Sequence, residues 1–419
     1  MSFLCKCLAS NILKNNRTNI SRRPFSTQPF PLVIYFQHFI VYSFSCCTFA
    51  PLNKPMRNVI TVFLLFVCAG LFAQQHKTEN VILVTFDGYR WQDLFTGADK
   101  NLVGEKKLVK DTAKLRGQYW AETPQERRTR LMPFFWGTIA KQGLLIGNRK
   151  LGSKMSLTNL YKFSFPGYNE IFTGHKDTRV NSNNYGDDLN KNIFDFLATQ
   201  PGFEHKLAAI ANWDAFPKII NSHRNGVPVF VNFKCASNGA SCNGVAYDSW
   251  QTACPAGTNC AMVDTITYHF AKEYIHRNHP KFAFIGFDET DHYSHEGQYD
   301  SYLTTAHMMD AYMQDLWNMI QSDPEYKDKT TLIITCDHGR GHLGKQFWRH
   351  HGPLVRDAHQ VWLAAIGPDT PAKGELSKGR HYHTNQIAAT IAKLFGKEYK
   401  EDHASGKPIE VVYSGSSGQ

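Results

Sequence analysis

The first 73 residues contain no aspartate or glutamate, against seven lysines and arginines. That absence accounts for most of the formal charge of +10, because the rest of the chain holds 39 basic and 36 acidic residues, a net of +3. A nearly neutral body excludes the basic footprint of a nucleic-acid-binding surface. The chain also lacks an apolar run of the roughly 20 residues that a stable membrane span needs. Its run from Val59 to Phe72 is shorter, and is bounded by Met56-Arg57-Asn58 and by Ala73-Gln74-Gln75. No Cys-x-x-Cys pair occurs among Cys235, Cys242, Cys254 and Cys260, which argues against a zinc knuckle. No internal repeat or long low-complexity linker divides the chain.

A short basic start, a short apolar core and a small residue at its end are the parts of a secretory signal peptide. Residues 56–73 are therefore expected to be removed near Ala73, giving a periplasmic or secreted product. Val67 stands before Cys68, where lipoprotein processing prefers a small residue, so signal peptidase cleavage is the better reading. Residues 1–55 are rich in Arg, Ser and Asn. They read either as an organellar transit peptide or as sequence upstream of the functional start. The complete signal peptide beginning at Met56 favours the second, which makes 1–55 a doubtful extension and 74–419 the folded domain.

Five of the ten cysteines fall in the leader, and four of the others cluster at 235, 242, 254 and 260. Locally spaced cysteines in an exported chain point to disulfides. Non-reducing peptide mapping is expected to find Cys235, Cys242, Cys254 and Cys260 in two disulfides, in one of three possible pairings, contributing roughly 2–4 kcal/mol. Four free thiols would refute this. Cys336 stands alone in an apolar run and is expected to be a buried thiol.

Continuous apolar runs at Val81–Phe86, Lys206–Ala211, Phe282–Phe287, Thr331–Thr335 and Val361–Ile366 suit parallel strands buried on both faces. Helical patterns lie between them, at Asn192–Thr199, Met262–His276, Ser301–Ile320 and Thr384–Leu394. The alternation predicts an α/β three-layer sandwich, a largely parallel sheet with helices on both faces. The stretch at about 221–260, rich in Gly, Asn, Ser and Cys, reads as an irregular excursion from that core.

Three of the strands run into acidic clusters. Val81–Phe86 ends at Asp87, Phe282–Phe287 leads to Asp288 through His295, and Thr331–Cys336 ends at Asp337-His338-Gly339. Ligand sites in open α/β sheets collect at the carboxyl ends of strands. Any one of these aspartates is ordinary as a helix cap. Together they suggest a metal centre, with Asp291 and His295 four apart on one helical face. Oxygen and nitrogen donors of this kind suit Zn²⁺, with Mn²⁺ as the alternative. Between the first two clusters, Ser164 precedes Phe165-Pro166, where a hydroxyl sits well at a helix N-terminus and beside an anion.

In this order the motifs resemble the alkaline phosphatase superfamily, especially its nucleotide pyrophosphatase/phosphodiesterase branch. The matching elements are Phe86-Asp87-Gly88, Ser164 through Thr173-Gly174, Asp291 with His295, Asp337-His338-Gly339, and His351-Gly352 before Gly367-Pro368. Asp87-Gly88-Tyr89-Arg90-Trp91-Gln92 is also similar to secreted bacterial phosphoglyceromutase-like proteins. The resemblance implies an alkaline phosphatase-like catalytic domain and two divalent cations. Asp291, His295 and His351 would hold one cation. Asp87, Asp337 and His338 would hold the other, with the Ser164 oxygen near or on it. Ser164 would be the nucleophile toward a small phosphate mono- or diester.

His350, His342, His383 and His403 rival His351, which the adjoining Gly352 and the strand beyond it favour. The family's phosphodiesterases commonly carry Thr at the nucleophile and Asn after the Pro, where this chain has Ser164 and Gly167. Asn169 could replace that Asn as a phosphate contact, and Arg90 or Lys162 could supply charge. The same resemblance admits a cofactor-independent phosphomutase, against which export argues. It also admits a sulfatase, against which Tyr168 argues by standing where the Ser-x-Pro-x-Arg modification signal needs Arg.

Overall fold

The computed structural model describes residues 77–231, 234–235 and 264–417. Their centre is β1, Asn80–Phe86, buried at every position. A strand buried on both faces must have neighbours on both edges to satisfy its backbone. It pairs in parallel with β7, Phe282–Phe287, on one side and β8, Thr330–Thr335, on the other. Beyond β7, the parallel arrangement continues through β4, Leu207–Ala211, to β5, Val229–Val231. The described sheet has nine strands in the order β11-β2-β10-β8-β1-β7-β4-β5-β6, its outer members being β2 (Leu144–Ile146), β6 (Lys234–Cys235), β10 (Leu363–Ile366) and β11 (Gly374–Glu375). A separate three-stranded sheet joins β3 (Lys154–Ser156), β9 (Gln360–Val361) and β12 (His381–His383).

Alternation along β7 divides its side chains between two helical layers. Phe284 packs edge-on against Phe172 and Tyr168, and Phe282 meets Phe194. These belong to α2, Ser164–Thr173, and α3, Ile193–Ala198, with α1 being Trp91–Thr96. Phe287, of opposite parity, meets Phe86, which touches Phe135 and Trp362. Further helices are α4 (Asp264–Asn278), α5 (Glu289–Glu296), α6 (Tyr299–Ser322) and α7 (Ile387–Leu394). The three-layer α/β expectation therefore holds. Among the described residues no helix is long and apolar enough to cross a membrane.

Two details differ from the sequence reading. The run Val361–Ile366 is not one parallel strand. It splits at the buried Trp362, whose indole donates to the Tyr89 carbonyl at 2.8 Å. Val361 joins the small sheet, and Leu363–Ile366 runs antiparallel to β8. A run buried on both faces has the same composition in either direction, so hydrophobicity alone could not tell these apart. The stretch at 221–260 also begins inside the core, because Val229–Val231 extends the main sheet. Cys242, Cys254 and Cys260, the leader and residues 1–55 lie outside the described residues, and Cys235 is described by its backbone alone. Cys336 is a buried free thiol.

Candidate metal centre

Register builds the site. Thr85 pairs with Thr335 and Phe86 with Phe287. One residue beyond Phe86 and Phe287, and two beyond Thr335, the parallel strands deliver Asp87, Asp288 and Asp337 side by side at their carboxyl ends. Gly88 makes the turn there in the left-handed region, at φ +59°, and its N–H donates to Asp337 Oδ1 at 3.0 Å. A side chain at Gly88 would meet Asp291 Oδ1 at 2.7 Å and Arg340 Nε at 2.9 Å. Glycine is thus required for both its conformation and its lack of Cβ. Tyr168, one helical turn after Ser164, donates to Asp87 Oδ2 at 3.2 Å, and the Asp87 carbonyl accepts from Thr290 Oγ1 at 2.6 Å.

These bonds leave Asp87 Oδ1 and Asp337 Oδ2 buried with no hydrogen-bond partner. Both lie 3.5 Å from His338 Nε2. The other ring nitrogen of His338 is 3.1 Å from the Gly339 carbonyl, which can only accept. Nδ1 therefore carries the proton and Nε2 presents a bare lone pair. Burial holds His338 below its ordinary pKa, in the neutral form. Two unpartnered carboxylate oxygens thus converge on an imidazole nitrogen whose one hydrogen-bond neighbour among the described residues is the Ser164 hydroxyl at 3.3 Å, which is unfavourable in a buried site unless a proton or a cation sits there. The residues present fit a divalent ion on that ground.

A second group adjoins the first. Asp291 lies on α5, with His295 Nε2 at 3.1 Å from its Oδ2 and at 3.0 Å from His351 Nε2. His351 directs Nδ1 to the Lys162 carbonyl at 2.9 Å, so its Nε2 is also bare. Its ring stacks on His338 at 3.9 Å between centroids. Burial, then the neighbouring His338 and Arg340, push its pKa far down, and burial lowers that of His295. The compact triads are Asp87, Asp337 and His338, and Asp291, His338 and His351, with donor atoms within 4.8 Å of one another in each. His338 is shared, whereas the resemblance had placed it in one set. His295 closes the outer, solvent side.

The carboxylates feel this crowding. Burial, followed by Asp337 and Asp288, raises the Asp87 pKa well above the usual carboxylate range. Burial, then Asp337, raises Asp288 to about 6. Arg340, three residues beyond Asp337, is buried beside Asp291, and burial pushes it down to about 9.

Ser164 is the first residue of α2, with Oγ 3.3 Å from His338 Nε2. The helix start is a narrower anion cradle than expected, because the Phe165 N–H donates to Asn183 Oδ1 at 3.0 Å and Pro166 has no N–H. Gly167 is explained by contact: a Cβ there would lie 2.5 Å from the Asp337 carbonyl oxygen, leaving no room for the family's usual Asn.

Asn169 has its amide engaged elsewhere. Its Nδ2 donates to the His175 carbonyl at 2.9 Å and its Oδ1 accepts from Asn190 at 3.2 Å, so its amide ties the end of α2 to the next loop. Arg90 makes its hydrogen bonds elsewhere. Its Nε and Nη2 are closed by Asp93 at 2.6 and 2.9 Å, in a buried network with Tyr299 and Tyr302. Lys162 donates from Nζ to the carbonyls of Pro353 and Val355 at 3.0 and 3.1 Å, fixing the loop of His351. Of the rival histidines, His342 pairs with Asp357 at 2.7 Å, His403 contacts the Thr173 carbonyl at 2.9 Å, and His383 stacks on His381. None of these, nor His350, belongs to the described triads.

Sequence reasoning missed Arg340, Tyr168 and Asn183. Adjacency to Asp337-His338-Gly339 was a usable signal for Arg340, and helical spacing from Ser164 was one for Tyr168. Asn183 lies in an undistinguished polar run, Asn181 to Asn184, and gave none.

The fold and the acidic strand ends define an alkaline phosphatase-like α/β hydrolase scaffold. Solved structures share it: wild-type alkaline phosphatase PafA, at 12% identity and TM-score 0.52, covers 81% of this chain and 99% of its own. The phosphonate monoester hydrolase of Agrobacterium radiobacter, at 12% and 0.50, covers 80% and 77%, and a 2-O GAG sulfatase, at 11% and 0.51, covers 80% and 74%. At such identities the likeness is one of fold. Family membership rests on the sequence itself: residues 99–404 match the model for type I phosphodiesterase / nucleotide pyrophosphatase, and the chain belongs to that family. No curated protein matches it.

Proposed function

We propose that the chain is a zinc-dependent hydrolase of phosphate esters, with Ser164 Oγ as the attacking oxygen. The observation that carries this reading is the convergence of unpartnered Asp87 Oδ1 and Asp337 Oδ2 on the bare Nε2 of His338, with Ser164 Oγ 3.3 Å from that nitrogen. Asp87, Asp337 and His338 would hold one cation, and Asp291, His351 and His295 would complete the place of a second. When bound, two divalent cations supply Lewis acidity for both the entering and the leaving oxygen of an in-line displacement. The chain's own residues set the geometry. Helix α2 presents Ser164 at its positive end, which favours a developing anion. The Phe165–Asn183 bond holds the first turn, and Tyr168 braces Asp87 from the same helix. The Ser164 oxygen forms a bond to phosphorus as the bond from phosphorus to the ester oxygen breaks, the serine proton passing to solvent and the departing oxygen taking one up to leave as an alcohol. Water then attacks phosphorus, restoring the Ser164 hydroxyl and releasing phosphate, or a monoester where the substrate is a diester.

Phosphate is favoured over sulfate because Tyr168 occupies the position where conversion to formylglycine requires Arg, and its hydroxyl is engaged with Asp87 and Thr85. The leader at 56–73 supports an exported enzyme. The test is steady-state kinetics of the zinc-loaded protein on a matched aryl phosphate, diester and sulfate. Phosphate or diester turnover is expected to exceed sulfate turnover by at least about a hundred-fold. Sulfate turnover in excess, or a formylglycine mass at Ser164, would reject the reading.

A further inference from the structure

The ligands proposed for the second cation, Asp291, His295 and His351, come from separate segments. Asp291 and His295 are on α5, and His351 is on the loop that follows β8. Nothing in a single helix or strand sets the distance between these two segments, yet their imidazole nitrogens meet at 3.0 Å. Two arginines join them in opposite directions. Arg340 leaves the loop just beyond Asp337-His338-Gly339 with a side chain 1% exposed. Its Nη2 donates to the Asp291 carboxylate and to the Asp291 carbonyl, the latter at 3.2 Å, while its Nη1 donates to the Arg349 carbonyl at 2.7 Å. Arg349 reaches back, donating from Nη2 and Nε to the His295 carbonyl at 2.8 and 3.3 Å. The Gly341 N–H closes the loop on the His350 carbonyl at 3.1 Å.

The surroundings are shaped for this clasp. Gly88 and Gly297 each lack the side chain that would intrude on it. A Cβ at Gly88 would lie 2.9 Å from Arg340 Nε, and one at Gly297 would lie 3.0 Å from Arg349 Nε. A planar guanidinium can span a carboxylate and two carbonyls, which a lysine ammonium cannot do in the same geometry.

From this we infer that Arg340 is a positioning residue for the cation held by Asp291, His351 and His295, and that Arg349 completes the clasp. The inference rests on the metal-dependent reading above. Preorganised ligands bind more tightly because less ordering remains to be done at binding. Loss of the clasp should therefore weaken one cation and spare the other, whose ligands Asp87, Asp337 and His338 are set by sheet register.

The test is zinc content by elemental mass spectrometry across a range of free zinc, on the zinc-loaded protein and its variants. The unaltered protein is expected to hold two ions per chain. Arg340→Gln and Arg349→Gln are expected to keep one at the original affinity and to need about ten-fold or more free zinc for the second, the loss typical of removing a partner that orients a ligand. High zinc should restore kcat in both. In the pair Arg340→Gln with Asp291→Asn, zinc affinity should be no worse than in Asp291→Asn alone, since the arginine acts through that carboxylate. If Arg340→Gln fails to fold, Arg349→Gln decides, because its side chain is only partly buried. Two ions held at unchanged affinity in a folded Arg340→Gln, or in Arg349→Gln, would overturn the inference. Fewer than two ions in the unaltered protein would instead overturn the reading beneath it.

Discussion

Replacing Ser164 with alanine is expected to lower turnover of a phosphate ester by roughly 10³–10⁶-fold, the range seen when a covalent nucleophile is removed. Metal content should stay at its original level, because the carboxylates and imidazoles of the centre remain. The hydroxyl lies within 3.3 Å of His338 Nε2 at the first position of α2, and the side chain is otherwise small and buried, so the alanine variant should fold normally. Ser164→Thr should retain measurable turnover, since the hydroxyl remains and relatives of the resembled branch carry Thr at that point. Single-turnover kinetics alongside elemental analysis checks both. Alanine and serine proteins with equal rates would remove Ser164 from the chemistry.

The second large effect is loss of metal. Stripping the protein with a chelator is expected to abolish activity and to lower Tm by several degrees, more at pH 8 than at pH 5. The sign follows from the raised carboxylates. In the metal-free fold, Asp87 and Asp288 hold protons that an unfolded chain releases near pH 4. For these carboxylates, ionisation costs stability as pH rises from about 4 through the Asp288 value of about 6, whereas the lowered His338, His351 and His295 act in the opposite sense; a cation competes with protons for both sets of ligands and so is held best at high pH. A bound dication removes that penalty at high pH, and at a concentration 100 times its Kd it contributes about 2.7 kcal/mol. His351→Ala should reproduce part of the loss by weakening one ion, while His383→Ala and His403→Ala should not, since their rings are engaged elsewhere. Thermal melts with and without chelator at the two pH values are the measurement. A Tm at pH 8 indifferent to chelation would reject the metal centre.

The parts legible in the sequence were those that depend on chain order and on strand ends. Asp87, Asp291 and Asp337-His338 each follow an apolar run, and parallel pairing necessarily brings such ends together. His351 could be singled out from five histidines because Gly352 and the strand beyond it fixed its place. Less legible was anything decided by a contact between distant segments. Gly167 looked like a missing Asn, but the Asp337 carbonyl presses against its Cα. Asn169 and Arg90 carry the right chemistry near the right motif, and only the fold shows that their polar groups are engaged with His175 and Asn190 for one and Asp93 for the other. The direction of Leu363–Ile366 was hidden because full burial removes the alternation that would mark a face.

The row of Asp87, Asp288 and Asp337 also has a kinetic meaning. The Gly88–Asp337 bond joins residues 249 apart in the chain, so the centre depends on long-range closure of the sheet. Closure of such contacts is slow and comes after local helices have formed. A cation meeting an unfolded chain finds these ligands scattered and gains little from them. It can bind tightly only once β8, β1 and β7 have zipped together in register. On the proposed metal-dependent reading, uptake would therefore come late in folding: a chain with a strand slipped by one residue would turn its acids to the wrong face and would fail to capture a cation.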